Sequence, residues 1–121
     1  MKLFLLLGII NGFLAVALGA FGAHGLEGKI SEKMIKIWEK AVTYEMFHAT
    51  ALLATGLLMM KYQFASMTAA GWAFLIGIIL FSGSLYVYAV TSVKFFAIIT
   101  PFGGVSFLIG WVLLAIAVMK I

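Results

Sequence analysis

The chain has 121 residues, of which 65% are hydrophobic and 10% are charged, and its formal net charge is +4. Soluble domains have about 45–50% apolar and about 25% charged residues, so this composition excludes an ordinary soluble fold. The eight lysines lie at the ends of apolar stretches or in a connector, where contact with lipid headgroups explains them better than binding to nucleic acid. Without cysteine, the chain has no disulfide and no thiolate chemistry.

Four apolar stretches dominate the chain, and each approaches the roughly 20 residues that cross a bilayer. We therefore predict an all-α integral membrane protein with four transmembrane helices, at about residues 3–23, 44–60, 68–90 and 95–119. An amphipathic interfacial segment at about 31–43 connects the first two, and residues 1–121 form a single transmembrane domain. Five lysines on the connector side against three on the other favour a cytoplasmic connector.

The first stretch resembles a secretory signal peptide at its start, but it is longer than the usual apolar core of about 7–15 residues. It also carries Asn11 and a strip of small residues at spacings of three and four, which are Gly8, Gly12, Ala15, Gly19 and Ala23. Gly22 belongs to the glycine-rich end of the span, Gly19–Leu26. Such strips let helices approach closely in lipid, so we expect a retained span that packs against another helix or another subunit. Asn11 lies beside the strip and is expected to hydrogen-bond across helices.

The second helix is expected to begin at Ser31, because serine is a favoured N-cap and Glu32 suits the first helical turn. At about 100° per residue, the charged side chains fall on one side and a mainly apolar arc on the other. The arc consists of Trp38, Ala41, Tyr44, Glu45, His48, Leu52 and Thr55. No proline or glycine occurs between 29 and 55, which favours one continuous helix over two pieces bent at the membrane surface.

Small or helix-breaking residues interrupt the last two apolar stretches. The third contains Ser82, Gly83 and Ser84, and the fourth contains Pro101, Gly103 and Gly104. Proline removes a backbone donor and kinks a helix, which membrane helices tolerate where neighbours satisfy the freed groups. Two interpretations stay open, which are close helix packing and a gate at a central site of the kind that transporters have. Trp72 and Trp111 are expected to lie in interfacial aromatic belts or in packing contacts.

Glu45 and His48 are one helical turn apart, and ionisable residues in membrane spans are functional candidates by default. With Trp38, Tyr44 and His24 they form a candidate polar cluster, because His24 ends the first span on the side where the second begins. The cluster is expected near the interface rather than at mid-bilayer. It has three interpretations. The first is a polar cluster whose side chains hydrogen-bond one another and fix the connector to the bundle. The others are a proton or cation path and a metal site of His24, Glu45 and His48.

Four motifs in order along the chain resemble one protein family. They are Gly19–Leu26, the stripe of Trp38, Ala41, Tyr44 and His48, then Ser82–Tyr86 and Thr100–Gly104. The resemblance covers essentially the whole chain, and it is to the "domain of unknown function 423" family of small bacterial membrane proteins, related to human transmembrane protein 256. It implies a four-span protein of the bacterial inner membrane. It brings no settled activity and no catalytic residue.

Three functional hypotheses follow from these patterns. The first is an oligomeric channel or small-solute transporter with a path along Glu45, His48 and Ser82–Ser84, and the second is an assembly module that binds other membrane proteins. The third is a metal- or haem-dependent membrane enzyme. Because the standard catalytic signatures are missing, we expect no enzyme and no cofactor. The expected partners are the bilayer with its anionic headgroups and further copies of the chain, and not nucleic acid.

Overall fold

A computed structural model describes residues 2–121, which form four helices. The helices are α1 (Leu3–Gly25), α2 (Glu32–Met59), α3 (Ala65–Thr91) and α4 (Lys94–Met119). This confirms the all-α prediction. The helices α1, α3 and α4 are long and apolar enough to cross a membrane. Helix α2 is longer than any of them but less apolar, because its first turns carry most of the connector lysines.

Helix α2 is continuous from Glu32 to Met59, as its lack of an early proline or glycine indicated. The Ser31 hydroxyl caps it by accepting a hydrogen bond from the backbone N–H of Met34 at 3.2 Å. The amphipathic stretch at 31–43 is thus the first part of this helix and not a separate connector. It buries the predicted arc apart from Tyr44, which is 40% exposed.

Small residues of α1, both in the predicted strip and at the glycine-rich end of the helix, pack against α2. The Gly22 backbone lies against the Trp38 indole, and a Cβ added at Gly19 would lie 3.2 Å from Val42 Cγ1. Gly12 does not belong to this contact, since nothing lies within 4 Å of a Cβ added there. Asn11 donates to the Leu7 carbonyl of its own helix at 2.8 Å. The hydrogen bond that Asn11 makes is thus within α1, as short polar side chains in helices often make, and not the cross-helix bond that its position allows.

Helices α3 and α4 pack closely because glycines in each receive phenylalanines of the other. Phe107 of α4 lies on Gly77 of α3, and Phe74 of α3 lies on Gly110 of α4. The Gly103 backbone approaches the backbone of α3 at Phe81, where a Cβ would lie 2.7 Å from Phe81 Cα. Close backbone approach at glycine is the usual basis of helix packing in lipid.

One turn of α3, Ile78–Gly83, is π-helical, so the predicted interruption at Ser82 is a local widening and not a helix end. Helix α4 continues through Pro101. Between these helices the chain reverses in two residues, and Ser92 adopts the left-handed φ of 58° that ends many helices. Helix α1 packs mainly on α2, α4 mainly on α3, and contacts between α2 and α3 join the two pairs.

Candidate functional site

Glu45 lies at the middle of α2 and is bonded to α3. Its side chain is 4% exposed, and its Oε1 accepts a hydrogen bond from the Tyr86 hydroxyl at 2.8 Å. The Tyr86 ring also meets the Trp38 ring edge-on, with 4.7 Å between centroids. A carboxylate in a low-dielectric environment is tolerated only where such donors reach it. Tyr86 is therefore the residue that makes Glu45 acceptable here.

His48 is bonded to α4 and not to Glu45. The Trp111 indole N–H donates to His48 Nε2 at 3.1 Å, and His48 Nδ1 lies 2.8 Å from the Tyr44 carbonyl oxygen. An indole nitrogen can only donate, so Nε2 is the acceptor and Nδ1 carries the proton that goes to the carbonyl. The contacts thus specify a neutral imidazole with both nitrogens in use. Its ring stacks on Phe107 at 3.5 Å between centroids.

These contacts place the pair deep in the bundle. Phe107 is near the midpoint of α4 (Lys94–Met119), and Glu45 is near the midpoint of α2. Both residues thus lie near the midpoints of their helices, and the position of the cluster relative to the membrane interface stays a prediction. Trp111, expected in an aromatic belt or in packing, also lies well inside α4 and not at its end.

The remaining members of the predicted cluster are distributed differently. The Trp38 indole donates to the Leu18 carbonyl of α1 at 2.8 Å, so Trp38 joins α1 to α2. The Tyr44 ring packs against Phe81 of α3 in a tilted arrangement, with 4.5 Å between centroids. Its backbone carbonyl oxygen lies 2.8 Å from His48 Nδ1, and its ring lies nearly parallel to the His48 ring at 6.3 Å between centroids. The predicted cluster is therefore a series of contacts between helices, each with its own partner.

His24 does not join this series. It lies exposed in the last turn of α1, and residues 2–121 contain no group of three side chains of the His, Cys, Asp or Glu type placed to hold a metal ion. The hypothetical site of His24, Glu45 and His48 is thus not brought together. The reason is that Gly22 is the residue of this turn that faces α2, where it meets Trp38, and His24 lies on the exposed face of α1.

The small polar residues of the third span also make contacts between helices. The Ser82 hydroxyl donates to the Ala41 carbonyl of α2 at 2.8 Å, and Ser84 lies 2.6 Å from the Thr100 hydroxyl of α4. Gly83 has only the Ile78 carbonyl within 4 Å of an added Cβ. These serines therefore contribute to packing, which was one of the two interpretations left open.

A groove of about 680 Å³ runs between α2 and α4, with Phe81 of α3 at its base. Its α2 wall consists of Thr43, Tyr44, Phe47 and His48, and its α4 wall of Pro101, Gly104, Val105, Phe107, Leu108 and Trp111. Most of these side chains are aromatic or aliphatic. Of the predicted gating residues, Pro101 and Gly104 line the groove, whereas Gly103 is buried in the contact with α3.

Tyr86 was expected only as the end of the motif Ser82–Tyr86 and not as the partner of Glu45, and neither Phe107 nor the groove was predicted. No local pattern distinguishes these aromatic residues from others of their spans. Trp111 did carry a signal, because it lies well inside the predicted span 95–119, and belt tryptophans lie at span ends.

Comparison with known proteins gives a family for this chain. The family described as "Protein of unknown function (DUF423)" matches residues 18–104. A UPF0382 membrane protein of Staphylococcus epidermidis is 52% identical over 120 residues, which cover 99% of this chain and 98% of the relative. The UPF0382 membrane protein YwdK of Bacillus subtilis is 50% identical over 121 residues, with coverages of 99% and 98%. No solved structure matches the chain.

The relatives match the chain along its whole length and are membrane proteins by name, and three of its helices are long and apolar enough to cross a membrane. It is accordingly a multi-pass bacterial membrane protein. The family resemblance of the four motifs is confirmed, whereas the relation to human transmembrane protein 256 stays a prediction. The chain belongs to the DUF423 family of bacterial membrane proteins.

Proposed function

We propose that this protein is a non-enzymatic binding module with four membrane spans, which holds a molecule resident in the bilayer in the groove between α2 and α4. The observation that carries the proposal is the groove itself, which is lined almost wholly by apolar and aromatic side chains. Concave apolar sites with few polar groups are typical of ligand pockets. The exposed side chains of Phe47 and Leu108 on its two walls leave it open to the side, where lipid would enter.

Helix α2 is the fourth span in this proposal. It runs antiparallel to α1, with the Trp38–Leu18 hydrogen bond towards one end and Gly56 against Leu5 towards the other. Since α1 has the length and composition of a span, the part of α2 beside it lies at the same membrane depth. From Ala41 to Met59 this part has one charged residue, Glu45, which Tyr86 satisfies.

The polar groups inside the bundle favour a binding module over a channel formed within a single chain. Glu45, His48 and Ser82 were expected to line a path, but each is hydrogen-bonded to a residue of a neighbouring helix. Groups that are satisfied in this way stabilise one packing arrangement. A second candidate, the oligomeric channel or transporter, is favoured by the carboxylate at the middle of α2, because such groups recur in ion pathways.

The experiment that tests the proposal fills the groove. Gly104→Leu places a large side chain in the groove wall, and Gly12→Leu makes the same change on α1 where nothing lies within 4 Å of an added Cβ. Native mass spectrometry of protein released from membrane nanodiscs measures the retained small molecules. We expect the unmodified protein and Gly12→Leu to retain a bound molecule, and Gly104→Leu to lose it. Equal retention by both variants would contradict the proposal.

Flux measurements distinguish the second candidate. In liposomes that contain the purified protein, a binding module gives no proton or cation flux above that of empty liposomes. If flux is present and Glu45→Gln abolishes it, the protein is better described as a channel or transporter. Because Gln keeps the oxygen that accepts from Tyr86, this variant removes the ionisable group and leaves the helix contact in place.

A further inference from the structure

The α2 wall of the groove continues into a row of lysines. Lys33, Lys40, Tyr44 and Phe47 occur at spacings of seven, four and three residues, which places them along one face of the helix. Lys40 is one turn from Tyr44, at the end of the groove nearest the start of α2. A shallow pocket next to it is lined by Glu32, Lys33, Lys36, Ile37 and Lys40. The groove therefore has a positively charged end.

The α4 wall contributes a further lysine to the same end. Lys94 and Pro101 are seven residues apart, so they share one face of α4 and are separated by about 10 Å along the helix axis. Helices α2 and α4 both begin at this end of the bundle, since α1 and α3 end there. Four exposed lysines, Lys33, Lys36, Lys40 and Lys94, thus lie at this end of α2 and α4, where the exposed glutamates of α2 are Glu32 and Glu39.

We propose that the molecule in the groove is an anionic phospholipid, and this inference rests on the proposed function. The phosphate lies among Lys33, Lys36, Lys40 and Lys94, and one acyl chain extends along the aromatic walls towards His48 and Trp111. From Lys40 to His48 the helix rises by about 12 Å, so the site has a charged end and an apolar section of acyl-chain scale. Lysine side chains snorkel, which brings their ammonium groups to the headgroup level.

Charge complementarity selects this occupant over others. A zwitterionic lipid carries its own ammonium group next to the phosphate, so it gains less from the lysines than a lipid with net negative charge. A transmembrane helix from another protein or a second copy would fit the apolar walls, but it would leave the lysine end without a counter-charge. Each lysine near an anionic surface contributes about fivefold in binding.

The test uses the tryptophans as reporters of bound lipid. Trp111 lines the groove, whereas Trp72 packs edge-on against Phe4 outside it. Trp72→Phe keeps the groove reporter Trp111, and Trp111→Phe keeps Trp72 outside the groove. Both variants also keep Trp38, so the difference in quenching between the two variants compares Trp111 with Trp72. Each variant is placed in phosphatidylcholine vesicles that contain a small fraction of phosphatidylglycerol brominated on its acyl chains. A parallel series contains brominated phosphatidylcholine at the same fraction.

We expect brominated phosphatidylglycerol to quench Trp111 beyond its bulk fraction, and Trp72 only in proportion to that fraction. If both brominated lipids quench Trp111 beyond their bulk fraction and to the same extent, the groove holds lipid without headgroup selectivity. That result would overturn this inference and leave the proposed function in place. If neither lipid quenches Trp111 beyond bulk and no molecule is retained in mass spectrometry, the proposed function fails as well.

Matched lysine variants locate the headgroup. Lys36→Gln, Lys40→Gln and Lys94→Gln together remove three charges at the groove mouth. Lys2→Gln, Lys61→Gln and Lys120→Gln remove three charges at the opposite end of the bundle. The first set should reduce the preference for phosphatidylglycerol at Trp111 by at least roughly tenfold, and the second set should leave it unchanged. Equal loss in both sets would overturn the inference, because the preference would then come from overall charge.

Discussion

At the scale of single residues, the buried polar side chains of this protein act as connectors between helices. Trp38, Glu45 and His48 of α2 each have a partner on a different helix, at distances between 2.8 and 3.1 Å. Hydrogen bonds between membrane helices average about 0.6 kcal/mol and reach about 1.7 kcal/mol. Individually these contacts are modest, and together they determine which faces of the helices meet.

The bond between Trp111 and His48 can be removed by a substitution that keeps an aromatic ring at position 111 and loses the five-membered ring of the indole. Trp111→Phe deletes the indole donor and leaves His48 Nε2 without its partner. We expect a loss of about 0.5–2 kcal/mol in unfolding free energy, measured by thermal unfolding in detergent. The control is Trp72→Phe, which makes the same change at a residue that is 43% exposed and packs edge-on against Phe4. If the control is as destabilising as Trp111→Phe, the loss comes from ring size and not from the hydrogen bond.

A double-mutant cycle isolates the bond between Glu45 and Tyr86. Glu45→Ala and Tyr86→Phe should each destabilise the fold, and their combination should cost less than the sum, by about 0.5–2 kcal/mol, since both remove the same bond. Glu45→Gln keeps an accepting oxygen and should fold close to the unmodified protein. The readout is again thermal unfolding in detergent. Strict additivity would show that the two side chains do not depend on each other.

At the scale of elements, the α3–α4 contact depends on glycines that cannot be replaced by larger residues, because the other helix lies too close. A Cβ at Gly103 would lie 2.6 Å from the Leu80 carbonyl carbon, and the neighbouring Gly104 has Phe81 ring atoms at 3.8 Å, an ordinary contact. Backbone cannot move aside as a flexible side chain can. Two adjacent glycines therefore differ in role, although the sequence alone presents them as one motif.

This difference gives a prediction for α4. Gly103→Ala should destabilise the protein by roughly 2–3 kcal/mol or prevent α3 and α4 from packing, because overpacking forces backbone shifts. Gly104→Ala should be neutral or slightly stabilising, since alanine is the better helix former by up to about 1 kcal/mol. Recovery of folded protein in size-exclusion chromatography and the thermal midpoint give the readout. Similar behaviour of the two variants would rule out the close backbone approach at Gly103.

At the scale of the whole molecule, two helix pairs are joined through α2 and α3, and the proposed span α2 determines the topology. Four spans place the N- and C-terminal ends on the same side of the membrane, and three spans place them on opposite sides. The chain has no cysteine, so single introduced thiols report accessibility without interference. The charged ends of the bundle supply positions where a thiol would be exposed.

We expect thiols from Lys2→Cys and Lys120→Cys to react with a membrane-impermeant reagent from one side. A thiol from Lys33→Cys should react from the other side. Intact cells expose the outer face of the membrane to the reagent, and inverted vesicles expose the cytoplasmic face. Labelling after solubilisation serves as the control for thiol reactivity. If positions 2 and 120 react from opposite sides, α2 does not cross the membrane. The result also decides whether the lysine-rich start of α2 is cytoplasmic, as the lysine distribution favours.

The amino-acid sequence by itself determined the membrane class, the all-helical fold, the continuity of α2 and most of its buried face. These properties depend on composition and on short-range periodicity, which are present in any window of the chain. The cap at Ser31 followed for the same reason, since its partner Met34 is three residues away.

Only the tertiary structure decided the partners of Glu45 and His48, their depth and the groove beside them. Tyr86 is 41 residues from Glu45 and Trp111 is 63 residues from His48, so no local pattern relates them. Glycines of the same helix also differ in their surroundings, which local sequence does not show. Gly22 lies against Trp38, and Gly12 lies in open space. Which helix faces meet is decided by packing between elements, and that packing is a property of the assembled bundle rather than of any single helix.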